Sequence, residues 1–195
     1  MNNDERKADM ESYQSLFIGT GAPERHRRFH IEDNRCELWR SSYEQLKAGV
    51  AAKATVGVVG PRGAGKTQAA SILLAKNKSD GNSGLYTKSD DIFTKIRCAQ
   101  SSKSDFTEEQ AKHHYRKPYL LVIDAFQVRG ETDFENRSLV SIVDKRYDDG
   151  KPTVIISNDT QESLLAIVGP DIRDRLLEGG GIITFKSSSF RKLKK

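Results

Sequence analysis

The chain has 195 residues, 36% hydrophobic and 30% charged, with a net charge of +5, which fits one domain with its own core. No apolar run approaches the roughly 20 residues of a membrane span. Met1-Asn2-Asn3-Asp4-Glu5-Arg6 lacks the apolar centre of a secretion signal, and Cys36 and Cys98 form no metal-type pair, so a reduced, cytoplasmic protein is expected.

Residues 1–20 are polar and aperiodic, expected as a flexible arm with one short helix near 13–17. Gly21-Ala22-Pro23 is a turn into a basic knot, Arg25-His26-Arg27-Arg28-Phe29-His30. Over 34–53, Leu38, Trp39, Tyr43, Leu46 and Val50 recur at three- and four-residue steps, an amphipathic helix. A β-branched run, Thr55-Val56-Gly57-Val58-Val59, then opens on Gly60-Pro61-Arg62-Gly63-Ala64-Gly65-Lys66-Thr67, and Gln68 continues into a helix through Lys76. This is G-x-x-x-x-G-K-[ST] in a strand–loop–helix setting. Glycines let successive N–H groups curl towards a phosphate, and the helix start adds its positive end. Lys66 would reach the β- and γ-phosphates, and the Thr67 hydroxyl would ligate Mg²⁺. A mere glycine-rich turn with a solvated lysine explains the loop but not its flanks.

Beyond a polar turn at 78–84, Leu85-Tyr86-Thr87 reads as a short strand, 90–99 as a helix with Ile92, Phe93 and Ile96 on one face, and 106–114 as helical. Tyr119-Leu120-Leu121-Val122-Ile123-Asp124 is a continuous apolar run ending in a carboxylate, as a buried parallel strand would. A helix over 134–147, a strand over 153–157, a helix over 161–168, a helical turn over 172–177 and a strand over 181–185 follow. Helices alternating with short buried strands predict a doubly wound α/β sheet.

Four positions carry chemistry besides the loop. Asp124, at the end of its strand, is placed to hold Mg²⁺. Asn158, ending the next strand, would lie beside the γ-phosphate, although asparagine also ends strands for local reasons. Arg173 and Arg175 lie in Gly169-Pro170-Asp171-Ile172-Arg173-Asp174-Arg175-Leu176 and suit phosphoryl-transfer charge, or a surface salt-bridge helix with Asp171 and Asp174. The last ten residues hold Lys186, Arg191, Lys192, Lys194 and Lys195 with no acid, which fits a polyanion partner or a solvated tail.

Taken in order, these pieces resemble the AAA+ ATPases of the DnaC/IstB group, helicase loaders and transposition helper ATPases. The likeness runs from Gly21 to Arg191. Gly21-Ala22-Pro23-Glu24-Arg25-His26-Arg27 looks like the group's lead-in motif, and Leu121-Val122-Ile123-Asp124 like its Walker B strand. Asn158 is similar to sensor 1, Asp174-Arg175-Leu176 to the arginine-finger box, and Phe190-Arg191 to a closing pair linked to sensor 2. The resemblance implies a P-loop NTPase αβα sandwich with a five-stranded parallel sheet over 21–190 and little or no C-terminal lid, with 191–195 a basic tail. It implies ATP and Mg²⁺ as cofactors, ATP-dependent rings or helical filaments, and DNA along the inner surface. The group's insertion after the second strand corresponds to 88–103, which offers Lys88, Lys95, Arg97 and Lys103 to DNA. Phe93 is expected in the core rather than as a stacking ring.

One departure bears on activity. The group's Walker B reads Asp-Glu, and this chain has Asp124-Ala125. Alanine neither accepts a proton nor orients a water, so ATP and Mg²⁺ binding should survive while hydrolysis is impaired. The change is either natural or a deliberate removal; the otherwise intact site favours the second. Only about 20 residues precede the lead-in motif, which leaves the mode of helicase docking open. Three readings follow: a helicase loader on single-stranded DNA, which is favoured; a transposition helper on duplex DNA that stimulates a transposase; and a small-molecule kinase, disfavoured by Asn158 and the arginine box.

Overall fold

The computed structural model describes residues 14–27, 37–101, 104–128, 130, 132–187 and 189–190. The elements in chain order are α1 (Glu37–Ala51), β1 (Thr55–Val59), α2 (Lys66–Ser79), β2 (Gly84–Lys88), α3 (Ser89–Ala99), α4 (Glu108–Arg116), β3 (Leu120–Asp124), α5 (Asp133–Asp148), β4 (Thr153–Ile156), α6 (Gln161–Ile167), α7 (Pro170–Arg175) and β5 (Ile182–Thr184). A 3-10 turn, Glu24–His26, precedes α1, and another, Phe126–Val128, follows β3.

The five strands form one parallel sheet in the order β2-β3-β4-β1-β5. Alternation along each strand decides which layer each side chain joins. Leu120, Val122, Val154 and Ile156 pack with Trp39, Leu46, Ile72 and Leu74 of α1 and α2. Leu121, Ile123 and Ile155 pack on the other face with Ile92, Phe93, Leu139, Ile142, Leu164 and Ile172, from α3 and α5 to α7. A strand buried on both faces must be apolar at every position, and β3 and β4 are, Asp124 and the sheathed Thr153 excepted.

Local chemistry moves some boundaries. α4 begins two residues later than the apolar pattern implies, because Thr107 and Gln110 close a capping box there. α7 begins earlier, at Pro170, whose missing N–H costs nothing in a first helical turn. It runs on through a π turn, Leu176–Gly180. Part of the expected N-terminal arm is folded onto the core: Phe17 is fully buried beside Ala22 and Ala75, and Thr20 O accepts the Tyr86 N–H.

Arg146 of α5 is the largest fully buried side chain among the described residues. Its Nε donates to Thr153 Oγ1 at 2.9 Å. Nη1 lies within 3.3 Å of the carbonyls of Tyr115, Arg116 and Pro118, and Nη2 within 2.8 Å of those of Tyr119 and Pro152. One guanidinium therefore closes the C-terminal end of α4 and pins the starts of β3 and β4. Burial pushes its pKa down to about 9, which keeps it charged at neutral pH. Arg146→Ala should strand these carbonyls and cost about 3–5 kcal/mol, read as a lowered urea midpoint. Arg146→Lys should recover only part of the loss, because an ammonium has three donors and no planar fork.

Candidate nucleotide site

The loop after β1 turns through backbone that only glycine adopts freely: φ is +133° at Gly60, +86° at Gly63 and +86° at Gly65. The surrounding fold occupies three consecutive loop carbonyls. Phe190 N donates to Gly63 O at 3.1 Å, Ser187 Oγ to Ala64 O at 3.1 Å, and Trp39 Nε1 to Gly65 O at 3.2 Å. Pro61 and Arg62 are exposed at the tip, and Ala64 is buried beneath it. Lys66, only 4% exposed, lays its ammonium over the loop, donating to Gly60 O at 2.6 Å and Pro61 O at 2.9 Å. The loop ends at the N-terminus of a 14-residue helix that has no side-chain cap. Positive charge, a helix start without a side-chain cap and a glycine-formed loop make an anion site.

Gln68, in the first turn of α2, ties the lead-in segment to the loop. Its Oε1 lies 3.1 Å from His26 Nδ1, and its Nε2 donates to His26 O at 3.1 Å. Arg27 Nε closes the same turn on Ala22 O at 2.9 Å.

Asp124 meets the loop. The Thr67 hydroxyl donates to its Oδ2 at 2.7 Å, and the Tyr86 phenol donates to the same oxygen at 2.7 Å. Oδ1 accepts the Ala125 N–H at 2.6 Å. Burial first, and then the Asp124 charge, push the Tyr86 phenol above its ordinary pKa, so it stays a donor. A hydroxyl and a carboxylate side by side are hard oxygens of the kind Mg²⁺ takes while keeping several waters. Thr67 and Asp124 therefore fit that ion. Tyr86 was not anticipated: an aromatic residue in a short strand reads as core, and its register two residues before the strand end is what carries the phenol to Asp124.

Asn158 follows β4, and its backbone N–H donates to Gln127 Oε1 at 3.2 Å. Ala125 has φ +55°, and its carbonyl accepts from Ser89 Oγ at 3.1 Å and Val128 N at 3.0 Å. This left-handed residue swings the chain from β3 into the turn that carries Gln127 back towards β4.

The remaining expected site residues lie elsewhere. Arg175 sits on the sheet face opposite α2, its Nε 3.4 Å from Asp144 Oδ1, its Nη1 3.7 Å from Glu178 Oε2, and its guanidinium 4.1 Å from the Tyr147 ring centre. Arg173 is exposed and has no ion pair among the described residues. Arg97 is paired within its own chain, 2.8 Å from the buried Glu135 and 5.5 Å from the Phe134 ring centre. Lys95 lies 5.7 Å from the Phe106 ring centre, and Lys88 is exposed at the end of β2. Phe93 is fully buried. Lys103 and Arg191 lie outside the described residues. No described helix is long and apolar enough to cross a membrane.

Comparison with known proteins accords with this geometry. The chain is 28% identical over 134 residues to the replicative helicase loader DnaC of Buchnera aphidicola, covering 68% of this chain and 54% of that protein. It is 25% identical over 141 residues to the putative ATP-binding protein Rv3427c in an insertion sequence of Mycobacterium tuberculosis, covering 70% and 55%. The chain thus spans about half the length of these relatives. The crystal structure of DnaI superposes with a TM-score of 0.63 over 92% of this chain and 98% of that one, at 14% identity, so its fold is shared. The model of the IstB-like ATP binding proteins matches residues 45–195, from α1 through the phosphate loop to the last residue, and the chain belongs to that family, with the P-loop NTPase fold of AAA+ proteins.

Proposed function

We propose that this protein is an ATP-switched, DNA-assembling AAA+ protein that acts as a DnaC-like replicative helicase loader, holding ATP and Mg²⁺ but hydrolysing slowly. The observation that carries the reading is the closed contact between Thr67 and Asp124 beside a complete phosphate loop, followed by Ala125 where the family's glutamate would stand. Gly60 to Gln68 hold the phosphates, with Lys66 on the β- and γ-groups. Thr67 and Asp124 hold the metal, and Tyr86 fixes the carboxylate. ATP supplies the phosphoryl group whose presence distinguishes the two states. Asn158 stands beside the γ-phosphate, and Arg175 reaches the ATP of a neighbouring subunit. ATP thereby favours a ring or helical filament, with Arg191 closing on the nucleotide from the C-terminal segment. Single-stranded DNA is bound through Lys88, Lys95 and Lys103; Arg97, already paired with Glu135, contributes less than its charge implies. The protein works in the cytoplasm with a replicative helicase.

The relative from an insertion sequence supports a second reading, a transposition helper that binds duplex DNA and stimulates a transposase. Recovery of one partner or the other by the native-host protein separates the two. A small-molecule kinase is a third and weaker reading.

Trp39, the only tryptophan of the chain, donates to the phosphate loop and gives a fluorescence readout of nucleotide binding. ATP should change its emission, and Lys66→Ala should abolish the response. Ala125→Glu should raise ATP turnover well above the unaltered chain; equal rates would remove the role assigned to position 125. Tyr86→Phe should weaken Mg²⁺-dependent ATP affinity several-fold and leave Mg²⁺-free binding unchanged. In sedimentation, ATP but not ADP should drive assembly, and Arg175→Ala should stay dispersed in ATP. Assembly that ignores both the nucleotide and this change would make Arg175 a surface salt-bridge residue.

A further inference from the structure

With Ala125 in place, the chain holds no carboxylate directly after Asp124, yet the space between the ends of β3 and β4 is not apolar. Gln127 fills it. The turn after β3 brings its side chain back across the sheet edge, where Oε1 accepts the Asn158 N–H at 3.2 Å. A backbone N–H is a donor only, so this contact fixes which end of the amide is oxygen. Ser157 Oγ lies 3.4 Å from the same oxygen and 3.2 Å from Asp159 Oδ2, and has one proton for the two. The closer, charged acceptor is the stronger claim. Among the described residues, Gln127 Oε1 then keeps a lone pair and Nε2 two N–H groups, at the edge where β3 ends in Asp124 and Asn158 follows β4.

We infer that Gln127 is the water-positioning residue of this chain, its oxygen accepting from the attacking water and its amide nitrogen donating to the γ-phosphate. The inference rests on the ATP-site reading above. A glutamine in this role orients and takes no proton, as in small GTPases. The water oxygen bonds to the γ-phosphorus while the bond from that phosphorus to the β–γ bridging oxygen breaks, its electron pair leaving on ADP. Both water protons depart on the product, so ATP and water give ADP and dihydrogen phosphate. Such a site turns over slowly, because no base assists. It also makes Ala125 part of a working arrangement: Ala125 supplies the left-handed bend, and Gln127, two residues on, supplies the polar group.

The test compares ADP with a non-hydrolysable ATP analogue on the full chain by Trp39 fluorescence, together with single-turnover hydrolysis. Gln127→Ala should lower the affinity for the ATP analogue several-fold, leave ADP affinity unchanged, and slow hydrolysis. Gln127→Glu separates a contact with the γ-phosphate from a structural bridge. Its carboxylate still accepts from Asn158 N–H, so a bridge survives it, whereas a group facing the γ-phosphate would now repel it. The expected result is a lost preference for the ATP analogue with ADP affinity kept. An unaltered preference and rate in both variants would overturn the role of Gln127 alone. Failure of the unaltered chain to bind either nucleotide would overturn the ATP-site reading itself.

Discussion

The Asp124 carboxylate is the junction on which the site depends. It accepts from Thr67 on the phosphate-loop helix, from Tyr86 on one neighbouring strand and from the backbone of Ala125 that follows it. The sheet order sets the distance it has to span. β4 lies between β1 and β3, so two strand spacings, roughly 9–10 Å, separate the start of the phosphate loop from the Asp124 carboxylate. α2 crosses that gap above the sheet and delivers Thr67 to Asp124. Just past the end of β4, between those two points, stand Asn158 and Gln127.

The two edges of the sheet are finished in opposite ways. At the strand starts, carbonyls left over by α4 and by the turns into β3 and β4 converge on one buried guanidinium, and the edge is sealed. At the strand ends, polar side chains and a helix start without a side-chain cap face one another around the loop. A sealed base gives the open edge its rigidity: β3 and β4 are fixed at the bottom by Arg146, so Asp124 and Asn158 keep their spacing without a contact between them. Preorganised donors are effective only when holding them in place has already been met by the fold.

Much of this was legible in the sequence. The phosphate loop, the carboxylate-ended strand and the parallel sheet follow from local pattern, because a strand buried on both faces cannot hide its composition and a phosphate loop cannot vary its spacing. What was not legible depends on pairs distant in the chain. Arg97 reads as a free basic residue on a helix, yet its partner Glu135 comes 38 positions later and is buried. Tyr86 reads as core, and only the register of β2 against β3 reveals that its phenol reaches Asp124. Gln127 belongs to no motif and gains meaning only when Ala125 turns the chain back. The two-residue shift of α4 was in principle readable, since Thr107-Glu108-Glu109-Gln110 carries the capping-box pattern.

The contacts Arg175 makes in its own chain do not argue against a role between subunits. Its carboxylate partners Asp144 and Glu178 are 36% and 58% exposed, at 3.4 and 3.7 Å, geometry in which an ion pair contributes little. Stacking on Tyr147 adds a further weak contact at such an exposed site. A phosphate oxygen in a partly desolvated interface offers a guanidinium stronger, charge-assisted hydrogen bonds. Exchanging the first set for the second is therefore favourable whenever a neighbouring subunit presents a γ-phosphate. Without one, the weak internal contacts keep the arginine on the helix and spare the free chain an exposed, mobile charge. An interface built on such an exchange is sensitive to the third phosphate, because ADP would withdraw the group that outcompetes Asp144.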